Sequence, residues 1–203
     1  PSKLRGTVTP PSSKSVAHRA LIAAALSGGF STISNLGDSK DIQATRSCLS
    51  ALKTGQPAGE DGLPLLDCGE SGSTLRFLIP VALLVGGEAH FTGWGRLMER
   101  PQGPYFSLFQ EKGIFYQQKD GVLTVRGTLS PGRCSLPGDV SSQFITGLLF
   151  ALPLLDGDGE IVLTTPLESR GYVDLTLDVL RTFGIRVEER AGAFHVPGSQ
   201  HYE

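Results

Sequence analysis

SSKSVAHRALIAAALSG, residues 12–28, decides the fold, because the chain uses its frame three times. The frame returns as ESGSTLRFLIPVALLVG at 70–86 and as SSQFITGLLFALPLLDG at 141–157. In each copy a serine (Ser13, Ser71, Ser142) is followed after 15 residues by a glycine (Gly28, Gly86, Gly157), and after 27 more by a second one (Gly55, Gly113, Gly184). All three landmarks step by 58 residues between the first two copies and by 71 between the last two. Self-similarity at fixed offsets is how a repeated supersecondary unit shows itself in sequence. The copies run over roughly 5–62, 63–132 and 133–203.

Each copy begins with an apolar segment, Val16 to Leu26, Leu75 to Val85 and Phe144 to Leu155. Length and Leu/Ala content make these helices, and apolar residues all round predict burial on every side. Pro80 and Pro153 should kink or shorten two of them, and the glycine after each is a C-cap candidate. A short β-rich stretch follows: STISN (31–35), AHFTG (89–93) and EIVLTT (160–165). A second helix comes next, with a one-sided stripe: Ile42, Cys48, Leu49 and Leu52 in the first copy, Val173, Leu177 and Leu180 in the third. It closes at Gly55, Gly113 and Gly184. In the last two copies hairpin-like runs follow, GIFYQQKDGVLTVRG and GIRVEERAGAFHV. The first copy's hairpin is shorter, which accounts for the 13-residue difference between the two spacings. LRGTVTPP and CSLPGDV supply opening strands. The expected fold class is α/β (α+β): a pseudo-three-fold domain of βαβαββ units, with buried parallel helices inside and sheets with surface helices outside.

Bulk composition excludes more than it selects. With 39% hydrophobic and 19% charged residues the chain is globular, and its 203 residues suffice for a sizeable core. A net charge of −2 gives no global attraction to nucleic acid or to an anionic membrane, so anion binding must be local. Cys48, Cys68 and Cys134 are odd in number and widely spaced, pointing to reduced thiols in a cytoplasmic protein. The first residues lack the apolar core of a signal peptide, and no stretch reaches the roughly 18 apolar residues of a membrane span. Met98 is the only methionine, and the sequence stops at Gln200-His201-Tyr202-Glu203 without a terminating element. Trimming alone accounts for the missing starting methionine; the abrupt end is what a piece of something longer is expected to show.

The repeat places Lys14, Gly72 and Gln143 at one equivalent position, the first turn of each buried helix. Helix N-termini expose unpaired N–H groups and favour anions, so three equivalent termini predict one anion site. Ser13, Ser71 and Ser142 are ordinary N-caps on the simplest reading. Lys14 opposes the helix dipole, a mismatch that a bound anion offsets. Arg19 sits in an otherwise apolar run, and snorkelling to the surface or contacting a ligand are equally open. Gly72 lets a ligand approach the backbone, or is simply a turn. A second ring of loops brings Arg96, Arg100, Ser169, Arg170 and Tyr172. Arg100, stiffened by Pro101, suits bidentate contact with phosphate or carboxylate. Arg96 reads as a solvated charge and His18 as structural. No Walker loop, HExxH, CxxC or GxSxG motif is present, so a P-loop, a structural zinc or a hydrolytic triad has no support.

PPSSKSVAHRALIAAAL, GESGSTLR, ERPQGPY, GDVSSQFITGLLFALPLL and LESRGYVDLTLDVLRTFGI occur in that order across nearly the whole chain. Together they resemble the N-terminal half of the 5-enolpyruvylshikimate-3-phosphate (EPSP) synthase family. UDP-N-acetylglucosamine enolpyruvyl transferases share the fold but are not expected to show this motif set. The resemblance implies transfer of the enolpyruvyl group of phosphoenolpyruvate to the 5-hydroxyl of shikimate 3-phosphate, with release of phosphate, on the way to chorismate and the aromatic amino acids. No metal or other cofactor is implied. By resemblance Lys14 contacts both substrates near the reacting atoms, and Ser15 and Arg19 hold the shikimate carboxylate. Ser141, Ser142 and Ser169 grip the 3-phosphate, Gln143 and Tyr172 line the ring, and Gly72 and Arg100 belong to the phosphoenolpyruvate subsite. Glu70 stands where many members have Asn, and Phe77 where a proline is common. Gly72 matches the glycine whose replacement by alanine excludes glyphosate, so a glyphosate-sensitive parent enzyme is expected.

The family has two similar domains that close over the substrates, and the second brings the acid/base carboxylates. Residues 1–203 therefore read as a single N-terminal domain whose partner is the C-terminal domain. Such a chain folds, binds shikimate 3-phosphate weakly and does not turn over alone. The competing expectation is a non-catalytic sugar-phosphate or anion-binding module on the same scaffold. Neither nucleic acid nor membrane is an expected partner.

Overall fold

The computed structural model describes residues 5–203. Three helices form its centre: α1 (Lys14–Leu26), α3 (Gly72–Val85) and α5 (Ser142–Ala151). Three more lie outside them: α2 (Lys40–Thr54), α4 (Gly103–Lys112) and α6 (Arg170–Thr182). α3 and α5 are covered on nearly every face, but α1 departs from the expected all-round burial: it buries Ala17, His18, Arg19, Ile22 and Ala23 and leaves Val16 and Ala25 exposed, while the one-sided outer helices keep a wet face. Residues Leu75, Leu78, Ile79, Phe144, Leu148 and Phe150 are fully buried.

The second and third copies each build a four-stranded sheet with one topology. The first sheet contains β1 (Leu65–Asp67), β2 (Glu88–Thr92), β3 (Phe115–Lys119) and β4 (Val122–Arg126), in the order β1-β2-β4-β3. The second contains β5 (Gly132–Leu136), β6 (Gly159–Leu163), β7 (Glu188–Arg190) and β8 (Ala193–Val196), in the order β5-β6-β8-β7. In each, the strand before the inner helix runs parallel to the strand after it: Leu66 faces Phe91 in one and Cys134 faces Ile161 in the other. The hairpin's second strand then adds antiparallel, pairing Phe91 with Leu123 and Ile161 with Phe194. These buried residues alternate mostly with partly buried ones along their strands, the period-two pattern of a sheet with one face on the core.

Gly147 sets the distance between α3 and α5. A Cβ there would collide with the Tyr105 hydroxyl and lie 2.5 Å from the Arg76 carbonyl oxygen, with Pro80 Cδ at 3.3 Å. Pro80 lies inside α3 and the helix continues through it to Val85. A proline withholds the N–H that would bond the carbonyl four residues earlier, which here belongs to Arg76. The Tyr105 hydroxyl takes that place, lying 2.8 Å from Arg76 O and 3.0 Å from Phe144 O. Pro153 does shorten its helix: α5 stops at Ala151 and passes into a 3-10 turn over Leu152–Leu154.

Several local expectations need correction. Ser13 and Ser71 cap α1 and α3, accepting from Val16 N and Thr74 N, but α5 is capped by Ser141, which accepts from Gln143 N. Of the first glycine set only Gly86 is a C-cap; α1 ends on Ser27, and α5 ends before Gly157. The second set fares better: Gly55 and Gly113 cap their helices in the left-handed region at φ 71° and 68°, and Gly184 follows α6 at φ 77°.

The largest departure is in the first copy. Neither the described part of LRGTVTPP nor STISN (31–35) forms a strand. In the other copies the strand after the inner helix pairs on both sides, with the opening strand and with the hairpin. Here the segment after Gly55 is too short for a hairpin and makes only an isolated bridge between Ala58 and Pro64. A lone strand has nothing to satisfy its backbone, so 31–35 stays irregular and mostly exposed.

Candidate functional site

The N-termini of α1 and α5 and the start of α6 open on a crevice of about 320 Å³. Seven of the sequence candidates line it: Ser15, Arg19, Ser141, Ser142, Gln143, Ser169 and Tyr172. Val140 and, from α3, Ser73 and Phe77 complete the wall. Ser169 enters α6 at φ +55° and makes no capping bond with its side chain, while Ser141 accepts from Gln143 N at 3.2 Å.

Arg19 does not snorkel. It is 2% exposed, beneath the crevice, with its guanidinium 5.0 Å from the centre of the Phe77 ring. Its Nε donates to Thr176 Oγ1 at 2.8 Å, Nη1 to Ser15 O at 2.7 Å, and Nη2 to Tyr172 O at 3.0 Å. Burial pulls its pKa down to about 10, which still leaves it charged at neutral pH. A buried cation held by neutral acceptors is an uncompensated charge, and it lies against a crevice lined with hydroxyls.

Gly72 and Arg100 lie outside the lining and meet Gln143 at the edge of the crevice. A Cβ on Gly72 would stand 2.8 Å from Arg100 Nη1 and 3.5 Å from Gln143 Oε1. Lys14 departs from the expected convergence: its Nζ pairs with Asp41 Oδ2 at 2.6 Å and is half exposed. The carboxylate at the start of α2 supplies the negative charge that the first turn of α1 attracts. Such an exposed pair contributes about 0–1 kcal/mol, so an anionic ligand can compete for the lysine.

Arg96 is exposed, as expected, and pairs with Glu99. Arg170 is spoken for: Nε donates to Asp174 at 2.7 Å and its two Nη atoms to Glu189 at 2.8 and 2.7 Å, partners that raise its pKa. His18 is structural, 2% exposed, with Nδ1 2.7 Å from Thr45 Oγ1.

Sequence reasoning passed over Arg76. Its Nη1 donates to Gln143 Oε1 at 2.8 Å, Nη2 to Pro101 O at 3.0 Å, and Nε to Gln102 Oε1 at 3.4 Å, while the guanidinium lies 4.6 Å from the Phe144 ring centre. One side chain thus ties α3 to α5 and to the turn carrying Arg100. Gln143 Nε2 in turn donates to Ser73 Oγ at 3.1 Å, so both ends of its amide are fixed. Burial lowers the Arg76 pKa. The signal was available: like Arg19, Arg76 is an arginine inside an apolar helix.

Fold and crevice define a class: a pseudo-three-fold α/β protein whose helix N-termini converge on one polar, hydroxyl-lined opening. Residues 1–203 match the family model described as EPSP synthase (3-phosphoshikimate 1-carboxyvinyltransferase). Relatives named 3-phosphoshikimate 1-carboxyvinyltransferase include those of Clostridium kluyveri, 47% identical over 218 aligned positions, and Clostridium beijerinckii, 44% identical over 225. All of this chain is covered in both cases, against 51% and 52% of the relatives. The structure of EPSP synthase from Acinetobacter baumannii superposes with a TM-score of 0.78 at 22% identity, covering 97% of this chain and 48% of that one. The chain belongs to the EPSP synthase family, and it spans about half the length of the curated relatives it matches.

Among the described residues no helix is long and apolar enough to cross a membrane. All three cysteines are buried and free.

Proposed function

We propose that this chain is the N-terminal, shikimate 3-phosphate-binding half of a cytoplasmic enolpyruvyl transferase. In the complete enzyme the 5-hydroxyl of shikimate 3-phosphate attacks phosphoenolpyruvate, and the enolpyruvyl group is transferred as phosphate leaves. The observation that carries this reading is the crevice itself, where the hydroxyls of Ser141, Ser142 and Ser169 line the same opening as the buried cation Arg19.

Those hydroxyls and the N–H groups at the start of α5 suit the 3-phosphate, since a helix N-terminus adds about 0.3–1 kcal/mol to anion binding. Arg19 and Ser15 hold the carboxylate, and Gln143 and Tyr172 flank the ring. Gly72 and Arg100 take phosphoenolpyruvate, with Lys14 leaving Asp41 to reach both substrates. Positioning and electrostatic stabilisation are what these groups offer. Proton transfer is left to the second domain, the partner that closes over this face.

Calorimetric titration with shikimate 3-phosphate, followed by a phosphate-release assay, tests the reading. Binding without turnover by the chain alone, and turnover once a separately supplied C-terminal half is added, is the expected result. Phosphate release by the 203 residues alone would refute the half-site assignment. Binding that never becomes catalysis on mixing would favour the non-catalytic module.

A further inference from the structure

Two neighbouring residues of α1 each end on a pair of fully buried threonines. His18 meets the Thr45–Thr74 pair, whereas Arg19 meets Thr176 of α6 and Thr146 of α5. Arg19, unlike His18, lines the crevice, together with Tyr172. The second pair therefore stands behind a cation that faces a ligand opening.

One order of the hydroxyl protons satisfies every contact of that pair. Thr176 Oγ1 donates to Tyr172 O at 3.0 Å, the carbonyl four residues back in its own helix. Its lone pairs then take the Arg19 Nε–H at 2.8 Å and the Thr146 hydroxyl at 2.9 Å. With its proton committed to Thr176, Thr146 Oγ1 faces Arg19 Nη2 as an acceptor at 3.5 Å.

Tyr172 O also takes Nη2, at 3.0 Å, and Ser15 O takes Nη1 at 2.7 Å. The acceptors around Arg19 thus number four, Ser15 O, Tyr172 O and the two threonine hydroxyls. A guanidinium carries five N–H groups. Nη1, with two N–H groups and a single acceptor, keeps one over. Without the Thr176 hydroxyl the buried Nε–H would have no acceptor, and the guanidinium would turn to find another.

We propose that Thr176, backed by Thr146, is a positioning residue for the substrate carboxylate: it fixes the Nε–Nη2 edge of Arg19 inside the protein and leaves one Nη1 N–H for the ligand. This positioning role rests on the carboxylate role proposed above for Arg19. The carboxylate then receives one charge-assisted bond from Arg19 and a second from the Ser15 hydroxyl, in place of a two-pronged guanidinium grip. Through Tyr172 O the same threonine ties Arg19 to the start of α6, where Ser169 and Tyr172 line the crevice. The carboxylate and phosphate ends of the site are thereby held at a fixed separation.

Thr176→Val keeps the shape of the side chain and removes the acceptor, and Thr176→Ser returns it. Calorimetric titration of each version with shikimate 3-phosphate, and with its methyl ester, whose carboxylate is masked, separates aiming from folding. Thr176→Val is expected to weaken binding of the acid about ten-fold and of the ester less than about two-fold, with Thr176→Ser close to the parent for both. Thr146→Val, which removes the longest of the four contacts, is expected to weaken binding of the acid about three-fold and serves if Thr176→Val does not fold. Equal weakening of acid and ester, or an acid affinity unchanged in the valine variants, would overturn the positioning role. A parent chain that holds the ester as tightly as the acid would overturn the carboxylate role of Arg19 itself, and the positioning role with it.

Discussion

Gly72 has no side chain at the point where Arg100 and Gln143 converge. A methyl group added there meets Arg100 Nη1 at 2.8 Å, the mobile end of a long side chain, so the guanidinium can move aside. Gly72→Ala is therefore expected to change stability by less than about 1 kcal/mol, since alanine is also the better helix former. Displacing Arg100 should weaken phosphoenolpyruvate binding, measured calorimetrically with shikimate 3-phosphate present, by about ten-fold, or ~1.4 kcal/mol. Unchanged affinity would detach Arg100 from the phosphoenolpyruvate subsite. Arg76 acts differently: it touches the Gln143 amide and the Pro101 carbonyl, and so holds in place the side chains that face the crevice.

Among the elements, the contact between α3 and α5 is the tightest, and Gly147 is the reason. Its missing side chain makes room for the Tyr105 hydroxyl on Arg76 O, the carbonyl that Pro80 leaves without a helical donor. Gly147→Ala must displace backbone or strand that carbonyl, and either costs about 1–3 kcal/mol. Urea denaturation should register that loss, and a variant as stable as the parent would show the two helices are free to separate. The outer helices follow the opposite rule. Their wet faces carry pairs such as Arg170 with Glu189, exposed and worth little.

Across the molecule, the three-fold plan couples the helices through buried polar groups. His18 Nδ1 lies 2.7 Å from Thr45 Oγ1, which lies 2.7 Å from Thr74 Oγ1, joining α1, α2 and α3. Burial pulls the His18 pKa to about 4; Asp41 opposes the shift, and Lys14 and Arg19 reinforce it. The folded value lies below the ordinary one near 6.5, so the unfolded chain binds a proton that the folded chain refuses. This contribution is complete above pH ~6.5 and is lost as pH falls toward ~4, up to about 3 kcal/mol. Denaturation series across that window should show the parent losing stability faster than His18→Asn. Parallel curves would mean that His18 can take up a proton within the fold.

Repeat, inner helices, serine caps at Ser13 and Ser71 and the αL glycines Gly55 and Gly113 could all be read from residue order, because each depends on near neighbours and on apolar periodicity. The 13-residue deficit after Gly55 was equally readable, but not its consequence, since whether STISN forms a strand depends on partners far along the chain. Burial of Arg19, diversion of Lys14 to Asp41 and the reach of Arg76 to Gln143 and Pro101 were likewise hidden in the linear order. Each joins groups that lie 25 or more residues apart, and charge and hydrogen-bond satisfaction are settled by whichever partner folding brings within about 3 Å.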